Sequence, residues 1–459
     1  MTQQQMKSNP TYQQPLCTSC AADNESNTTT TRKRDVNETK TTADDTVRCT
    51  PQKRFPEFQN AGEWRPVILK DIGNTYNGLS GKNSGDFGTG EPYVAYKQVF
   101  NGTTIKIEEC PLVVIKDGEK QNKLKKGDIL VTISSETAQE IGMVNVITED
   151  FKKSVYLNSF CFIFRPHNNC FVPSFAKYLF NSPSYRKQII SIAQGITRYN
   201  LSKDSFLKLT VYIPALQEQQ KIASCLQSID DDIFATTQKM EQLKTHKKAL
   251  LQKLFPQRGK SIPELRFPEF QNAKEWESKR LGEITTSFSG GTPLVTKKEY
   301  YDGDIPFIRS GEINNSSTKL CITELGLKNS SAKIIEKGAL LYALYGATSG
   351  EVAISKIRGA INQAVLAIIP QDDINVYFLY QYLRASKKII VNNFIQGGQG
   401  NLSSMIINSL PILVPSLEEQ QKIANCLRPI DDNIYATTDK LEFLQKLKKA
   451  LMQQLFPHL

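Results

Sequence analysis

The sequence of 459 residues lacks the side-chain patterns on which most enzymes depend. It has three histidines, His167, His246 and His458, and they are too isolated in the chain for an acid–base pair or a catalytic triad to be argued around them. It also lacks the Asp/Asn-Pro-Pro-aromatic motif with which amino-methyltransferases grip a flipped base. These absences predict a protein that is not itself an enzyme.

Two glycine-containing segments resemble ligand loops only superficially. GLSGKNS (residues 78–84) has two residues between its glycines, whereas a phosphate-binding loop has four before Gly-Lys-Ser/Thr. FGTG (residues 87–90) precedes the strand-like run PYVAYKQVF, so no helix N-terminus is available to a cofactor. We therefore expect no bound cofactor.

Metal sites, disulfides and membrane spans are not indicated either. Cys17 and Cys20 have a zinc-like spacing, but only Cys49 follows nearby and no histidine joins them, so no metal site is predicted. The nine scattered cysteines favour reduced thiols and a cytoplasmic location. No apolar run approaches the roughly 18 residues of a membrane helix, and the first residues lack the order of a signal peptide, so no membrane partner is expected.

Positive charge is what the composition does have. Lys and Arg number 57 against 46 for Asp and Glu, which gives a formal charge of +11. This excess favours a polyanionic partner, although an ordinary basic surface would give the same balance. The length allows two to four domains, each with a core of its own. Residues 1–50 contain a long polar run and are predicted to be a disordered tail.

The sequence is a tandem duplication of one unit. Residues 214–256 (PALQEQQKIASCLQ…KKALLQKLFP) return in residues 415–457 (PSLEEQQKIANCLR…KKALMQQLFP) without a gap and with about two-thirds identity. RFPEFQNAGEW (residues 54–64) likewise returns as RFPEFQNAKEW (residues 266–276). Between these repeats lie two variable parts that share only short similarities, such as KKGDILVTIS with EKGALLYALYG and NLSKDSF with NLSSMII.

The duplication predicts the domain organisation. The variable parts have many turns and short β-branched runs, which is typical of mixed α/β domains. We expect domains at residues 51–213 and 257–414, each followed by a conserved helical segment, at residues 214–256 and 415–459.

The conserved segments carry apolar residues at alternating spacings of three and four, which is a heptad pattern. Ser416 and Glu419 have the spacing of a capping box, the Phe-Pro pairs end both helices, and Pro429 is expected to kink the second. A helix of about 38 residues extends about 57 Å and needs a partner. We expect the two helices to pair with each other as a coiled coil; if they pair antiparallel, the two units are related by a pseudo-twofold axis. The alternative is that each helix packs on its own domain.

Several segments resemble those of type I restriction-modification specificity subunits. They are FPEFQNAKEWESKRLGEI, SGGTPLVTKKEYYDGDIPFIRSGEI, ALYGATSGEVAI, NQAVLAIIP and the helix with LEEQQKIA, and the resemblance covers about residues 51–459. It implies a non-catalytic subunit whose two target-recognition domains each read half of a split site in double-stranded DNA. It also implies that the two helices form an antiparallel coiled coil that separates these domains. It also implies two methyltransferase subunits bound around the helices and restriction–translocase subunits that join them. The N-terminal 50 residues depart from this pattern.

DNA-contacting residues are predicted at turns that carry polar, basic or glycine residues. Those of the first domain are Lys97, Gln98, Thr132, Ser134, Ser135, Arg198, Tyr199 and Asn200. Those of the second domain are Arg309, Ser310, Tyr345, Gly346, Thr348, Asn362, Gln363, Gln396, Gly397, Gly398, Gln399, Gly400 and Asn401. Arg198 and Arg309 suit guanine edges, and Asn200 and Gln363 suit adenine. For each residue the alternative is a structural role in its turn.

Two other functions fit parts of the sequence. A self-sufficient restriction–methylation enzyme carries similar recognition domains, but the catalytic modules of such an enzyme are missing. A coiled-coil scaffold that binds no nucleic acid fits the helices but not the basic charge. Because the two variable parts differ from each other, the DNA site of the favoured function is expected to be asymmetric, with half-sites about one helical turn apart.

Overall fold

The computed structural model describes residues 50–102, 105–167, 170–394 and 401–457. The predicted disordered tail therefore lies outside the described residues except for Thr50, and so do Cys17, Cys20 and Cys49. None of the described helices combines the length and the apolar composition that crossing a membrane requires.

Strands and short helices alternate between Arg65 and Ile213, the part called domain 1 from here on. Its strands are β1 (Arg65–Ile68), β2 (Gly73–Asn77), β3 (Phe87–Val94), β4 (Leu112–Val113), β5 (Ile129–Thr132), β6 (Ser134–Ser135), β7 (Val144–Val146), β8 (Tyr156–Leu157), β9 (Cys161–Pro166), β10 (Tyr199–Asn200) and β11 (Thr210–Ile213). Its helices are α1 (Leu69–Ile72), α2 (Tyr96–Phe100), α3 (Pro173–Leu179), α4 (Pro183–Ser191) and α5 (Lys203–Leu207). The long helix α6 (Leu216–Leu254) follows.

The same kinds of element recur between Glu277 and Val414, the part called domain 2. Its strands are β12 (Glu277–Arg280), β13 (Thr285–Ser289), β14 (Tyr301–Ile308), β15 (Cys321–Ile322), β16 (Lys333–Ile335), β17 (Leu340–Ala343), β18 (Val352–Ile354), β19 (Gly359–Ile361), β20 (Val365–Pro370) and β21 (Pro411–Val414). Its helices are α7 (Leu281–Ile284), α8 (Glu324–Lys328), α9 (Val376–Phe394) and α10 (Ser404–Asn408). The second long helix, α11 (Leu417–Gln454), ends the described fold.

The two domains share one topology, which confirms the predicted mixed α/β fold. A four-stranded antiparallel sheet has the order β2-β9-β5-β7 in domain 1 and β13-β20-β17-β18 in domain 2. A second sheet in each domain contains a parallel pair, β3 with β8 and β14 with β19. The first and last strands of each domain also pair, so each domain closes on itself just before its long helix begins.

The two long helices pair with each other, as the heptad pattern predicts, and they run antiparallel, as the family resemblance implies. Lys247 Nζ lies 2.5 Å from Asp431 Oδ1, and Lys448 Nζ lies 2.5 Å from Asp230 Oδ1, so the end of each helix meets the beginning of the other. Thr438 donates a hydrogen bond to the sulfur of Met240 between these ion pairs. Helix α11 continues through Pro429. The paired helices α6 and α11 are called the spacer below.

Each spacer helix also packs on both domains, so the two expected arrangements are combined. Leu226 near the start of α6 is buried in the core of domain 1, whereas Leu254 at its end is buried in the core of domain 2. The phenylalanine that follows each helix is also buried in the core of the opposite domain. Phe255 packs edge-to-face on Trp276 of the domain 2 core, with 6.2 Å between the ring centroids, and Phe456 packs in the same way on Trp64 of the domain 1 core, at 6.0 Å. The Phe-Pro pairs are therefore hydrophobic anchors as well as helix ends.

The repeated RFPEFQNA segment fixes the N-terminus of each spacer helix. Arg54 forms two hydrogen bonds with the carboxylate of Glu218, which also accepts one from Trp64 Nε1 at 3.3 Å. Arg266 and Trp276 bind Glu419 in the same way. Because both glutamates are almost fully buried, each has its charge matched by a guanidinium.

This contact corrects the predicted capping box. The Ser416 side chain does cap α11, because it accepts a hydrogen bond from the backbone N–H of Glu419. The Glu419 carboxylate, however, accepts its hydrogen bonds from Arg266 and Trp276, which lie more than 140 residues earlier in the chain. The buried Glu419 carboxylate needs a counterion, and Arg266 supplies it, so the side chain points to Arg266 rather than to the start of its own helix.

We predict that Asp431→Asn destabilises the protein more than the matched variant Asp230→Asn. Asp431 is 3% exposed and accepts hydrogen bonds from Lys247, Tyr377 and Gln381, so its neutralisation leaves a buried ammonium without a counterion and costs about 3 kcal/mol. Asp230 and its partner Lys448 are more exposed, at 18% and 34% of their side chains, and the loss there is expected to be smaller. Urea unfolding of both variants measures the difference, and equal losses would contradict the argument from burial.

The same pair predicts a pH dependence. Burial by itself raises the pKa of Asp431, but the hydrogen bonds from Lys247 and Tyr377 outweigh burial and lower it. A carboxylate with a lowered pKa stabilises the fold above its ordinary value near pH 4, and that contribution is lost as the pH falls through the lowered pKa. The stability difference between the unmodified protein and Asp431→Asn is therefore expected to shrink when unfolding is measured in acid.

Candidate nucleic-acid interface

Backbone hydrogen bonds bring four segments of domain 1 together at one edge of its sheets. The Asn158 N–H, just after β8, donates to the Val94 carbonyl at the end of β3 at 3.0 Å. The Ile133 N–H after β5 donates to the Phe160 carbonyl at 3.0 Å, and the Leu201 N–H donates to the Ile133 carbonyl at 2.8 Å. Residues far apart in the sequence thereby form one surface.

Domain 2 contains three equivalent backbone hydrogen bonds, and each set of three is called a frame below. The Asn362 N–H donates to the Ile308 carbonyl at 3.4 Å, the Leu344 N–H to the Ala364 carbonyl at 2.8 Å, and the Leu402 N–H to the Leu344 carbonyl at 2.9 Å. The short similarities noted between the variable parts fall on these bonds, since Leu201 and Leu402 are the leucines of the two NLS segments. The frame is thus shared while most of the side chains on it differ.

Half of the residues predicted in domain 1 line a cleft of about 830 Å³ at this edge. Lys97 and Arg198 line it and are exposed. Ser134 and Ser135 form its floor, where β6 pairs with β10 through Asn200 and Tyr199, respectively. The Arg198 guanidinium is 3.4 Å from Ser134 Oγ and otherwise faces solvent, so it can meet a ligand that enters the cleft.

Two of the predicted residues of domain 1 face inward. Thr132 is fully buried, and its hydroxyl accepts a hydrogen bond from the Met143 N–H at 2.9 Å. Gln98 uses its side-chain oxygen to accept a hydrogen bond from the Ala95 N–H at the start of α2. For these two residues the geometry favours the alternative role, which is to hold the walls of the cleft in place.

Domain 2 gathers its predicted residues at the equivalent edge. Tyr345 and Gly346 follow β17 and are exposed, and Thr348 ends the short 3-10 turn Gly346–Thr348. Gly346 has a φ of +81°, a conformation that a side chain would strain. Asn401 is exposed beside Leu402, whereas Gln396, Gly397, Gly398, Gln399 and Gly400 lie outside the described residues.

The remaining predicted residues of domain 2 are partly engaged by their own neighbours. Arg309 forms an ion pair of 2.9 Å with Glu312, which holds the short turn Ser310–Glu312, yet 41% of its side chain is exposed. Asn362 accepts a hydrogen bond from the Ala364 N–H at 3.1 Å and so shapes its turn. Gln363 is exposed and accepts a hydrogen bond from the Thr292 hydroxyl at 2.6 Å.

The sequence interpretation missed Asn158, which shapes a turn next to the domain 1 cleft, and several residues that line the cleft, among them Phe160, Tyr96 and Glu136. Asn158 occupies the position of Asn362, and its side chain accepts a hydrogen bond from the Phe160 N–H at 2.8 Å in the same way. Phe160 itself is 57% exposed and lines the cleft, and so do Tyr96 and Glu136. Aligning VYLNSF with GAINQA would have identified Asn158; nothing in the local sequence marks the other three.

Tyr96 connects helix α2 to strand β6 at the wall of the cleft. Its hydroxyl donates a hydrogen bond to the Ser134 carbonyl at 2.8 Å, and its ring stacks on Phe100 with 5.9 Å between the ring centroids. Burial raises the pKa of Tyr96, so the hydroxyl remains a hydrogen-bond donor at neutral pH. Across the described part of the chain, no three His, Cys, Asp or Glu side chains are grouped as a metal site requires.

We predict that Asn158→Ala loosens the cleft of domain 1. The Asn158 amide, which is 7% exposed, donates to the Val94 carbonyl and accepts from the Phe160 N–H, so its removal breaks both hydrogen bonds and costs about 1–3 kcal/mol. Amide exchange at Phe160 is expected to accelerate. Asn101→Ala, which alters an exposed asparagine beside the same cleft, is the matched control and is expected to leave that exchange unchanged.

Comparison with known proteins identifies relatives along most of the chain. The family described as Type I restriction modification DNA specificity domain matches residues 62–245 and 273–446. The MjaIX specificity subunit of a type I restriction enzyme from Methanocaldococcus jannaschii is 33% identical over 191 residues, which are 40% of this chain and 44% of that protein. The HindI specificity subunit from Haemophilus influenzae is 25% identical over 78% of this chain and 90% of its own length.

A solved structure shares the fold. The crystal structure of a type I restriction-modification system S subunit from M. genitalium matches with a TM-score of 0.63 at 17% identity. The match covers 89% of this chain and 100% of that one. At this identity the likeness shows the fold, with two α/β domains and long helices.

Proposed function

The chain belongs to the family of type I restriction-modification DNA specificity proteins, and we propose that it reads an asymmetric, bipartite site in double-stranded DNA while partner subunits perform the chemistry. The observation that carries the proposal is the pair of equivalent frames in domains 1 and 2. The frames are held by antiparallel helices, so they are related by a pseudo-twofold axis. Two readers related in this way meet two half-sites of one duplex.

The side chains on the two frames support different half-sites. Arg309 of domain 2 follows β14, whereas Ala95 follows the equivalent strand β3 in domain 1. The loop after β17 has the sequence YGATSG, and the loop after β5 has the longer, more polar sequence SSETAQE. A site read by two identical domains would be a palindrome, and this pair of domains predicts an asymmetric one.

Recognition is assigned to residues 51–213 and 257–414, and the spacer sets their separation. Residues that line the two surfaces and face outward are proposed to contact DNA, with Arg198 and Arg309 suited to guanine and Asn200 and Gln363 suited to adenine. Lys97 is suited to phosphate as an exposed point charge. The base pairs between the half-sites are not read in this arrangement.

The middle of the spacer offers a surface for partner subunits. Phe234 of α6 is 63% exposed, and Tyr435, at the same position of the repeat in α11, is 42% exposed. Exposed aromatic side chains on an otherwise polar helix are typical of protein–protein contacts. We assign these two positions to methyltransferase subunits, and the repetition predicts two copies, which restriction–translocase subunits would then join.

A coiled-coil scaffold without nucleic-acid binding is the second candidate function, and one experiment separates the two. The full chain is mixed with its methyltransferase subunit and a library of randomised duplexes, and methylated sites are sequenced. We expect one bipartite sequence with two different specified halves. If no complex forms and no duplex is methylated, the proposed function is wrong and the scaffold remains.

We predict that Lys97→Gln weakens binding of all duplexes to a similar extent. A lysine that contacts phosphate releases about one counterion on binding, so the slope of log affinity against log salt is expected to become shallower by about one. Lys152→Gln removes an exposed lysine of domain 1 that does not line the cleft, and serves as the matched control. A loss confined to one base-pair identity would contradict the assignment of Lys97 to phosphate.

We predict that Phe234→Ala and Tyr435→Ala each remove about one methyltransferase subunit from the complex, as measured by native mass spectrometry. Phe443→Ala is the matched control, because Phe443 is 64% exposed on α11 but its counterpart in α6 is Gln242. A residue that does not recur in the other helix is not expected to belong to a binding surface that occurs twice. Loss of both copies in the Phe443→Ala complex would contradict this assignment.

A further inference from the structure

The cleft of domain 1 contains an acidic side chain that a surface for DNA does not ordinarily carry. Glu136 is exposed and lines the same cleft as Arg198. DNA carries two phosphates per base pair, so every carboxylate that approaches it is repelled. A carboxylate in such a cleft is compatible with tight binding when it accepts a hydrogen bond from a base, and the donor it suits is the exocyclic amino group of cytosine.

Glu136 has the freedom that such a role requires. No hydrogen bond or ion pair engages its carboxylate among the described residues. The nearby Glu140 differs, because it accepts a hydrogen bond from the Thr137 hydroxyl at 2.9 Å and closes the turn Ala138–Glu140. Glu136 is thus the carboxylate of this loop that is available to a ligand.

Arg198 supplies the complementary chemistry in the same cleft. Its guanidinium is exposed and is held only by a long contact of 3.4 Å to Ser134 Oγ. It forms no ion pair with Glu136 or Glu140 among the described residues, so its bidentate donor face stays open. An arginine of this kind suits the O6 and N7 atoms of guanine.

We propose that domain 1 recognises a G·C base pair in the major groove, with Arg198 on the guanine and Glu136 on the cytosine amino group. A G·C pair presents two acceptors and one amino donor side by side on its major-groove edge, which is the pattern that a guanidinium and a carboxylate in one cleft complement. An A·T pair does not fit, because thymine offers an acceptor and a methyl group in place of the guanine acceptors. This inference rests on the proposed function and names the base pair for one of its two arms.

Among its described residues, domain 2 has no counterpart of Glu136. Ten residues separate the hydrogen-bonded Thr132 and Met143 in domain 1, whereas seven separate the equivalent Ala343 and Glu351 in domain 2. Glu136 lies in the longer loop, and the shorter one, YGATSG, has no acidic residue before Glu351, whose carboxylate pairs with Lys387. Glu136 is therefore specific to domain 1, and the base pair that it selects lies in the half-site bound by domain 1.

The test uses the full chain in complex with its methyltransferase subunit and a library of randomised duplexes. Glu136→Gln and Arg198→Lys are each expected to relax selection at one and the same base pair, from G·C to mixed bases, by roughly tenfold to a hundredfold. The half-site read by domain 2 is expected to remain unchanged, which shows in the same experiment that each variant is folded. Glu149→Gln, which alters an exposed glutamate of domain 1 outside the cleft, is the matched control and is expected to change nothing.

Three results would overturn the inference while leaving the proposed function intact. They are unchanged selection in both variants, relaxation at two different base pairs, and selection of A·T rather than G·C at the affected position in the unmodified complex. If the unmodified complex selects no sequence at all, the proposed function fails and this inference fails with it. Selection at a single G·C position that both variants relax supports the inference.

Discussion

The antiparallel pairing of the two spacer helices is the constraint on which the rest of the structure depends. Each helix begins beneath one domain and ends in the core of the other, and a Lys–Asp pair fastens it near both ends. A shift of one helix along the other by a single turn would pull Phe255 and Phe456 out of their aromatic clusters. The register of the helices and the cores of both domains therefore stabilise each other.

Repetition of the sequence does not make the two ends of the spacer identical. The Lys247–Asp431 pair is almost completely buried and lies among Tyr377 and Gln381, whereas the Lys448–Asp230 pair retains contact with solvent. The difference originates in the domains, since α9 donates hydrogen bonds from both Tyr377 and Gln381 to Asp431, whereas α3 donates one from Tyr178 to Asp230. Equivalent charges in equivalent positions thus contribute differently to stability, because burial sets the cost of leaving one of them unpaired.

A shared frame with different loops also explains how one fold can carry two surfaces with different side chains. The hydrogen bonds that hold these surfaces are made by backbone groups, which are the same whatever side chain is attached. Asn158 and Asn362 are exceptions that shape the same turn in both domains. Side chains such as Glu136, Arg198 and Tyr345 are then free to differ, because the frame does not rely on them. Length changes are tolerated in the loop after β5 for the same reason.

The sequence by itself determined the duplication, the two helices and their pairing with each other, because a gapless repeat with heptad spacing offers each long apolar seam a matching partner. The antiparallel direction was implied only by the family resemblance. It also indicated the turns that carry Ser134, Arg198 and Tyr345. Only the tertiary structure decided that Thr132 and Gln98 face inward, that Glu419 reaches Arg266 rather than its own helix, and that Glu136 shares a cleft with Arg198. Those outcomes depend on burial and on contacts between distant segments, and the spacing of residues along the sequence reveals neither.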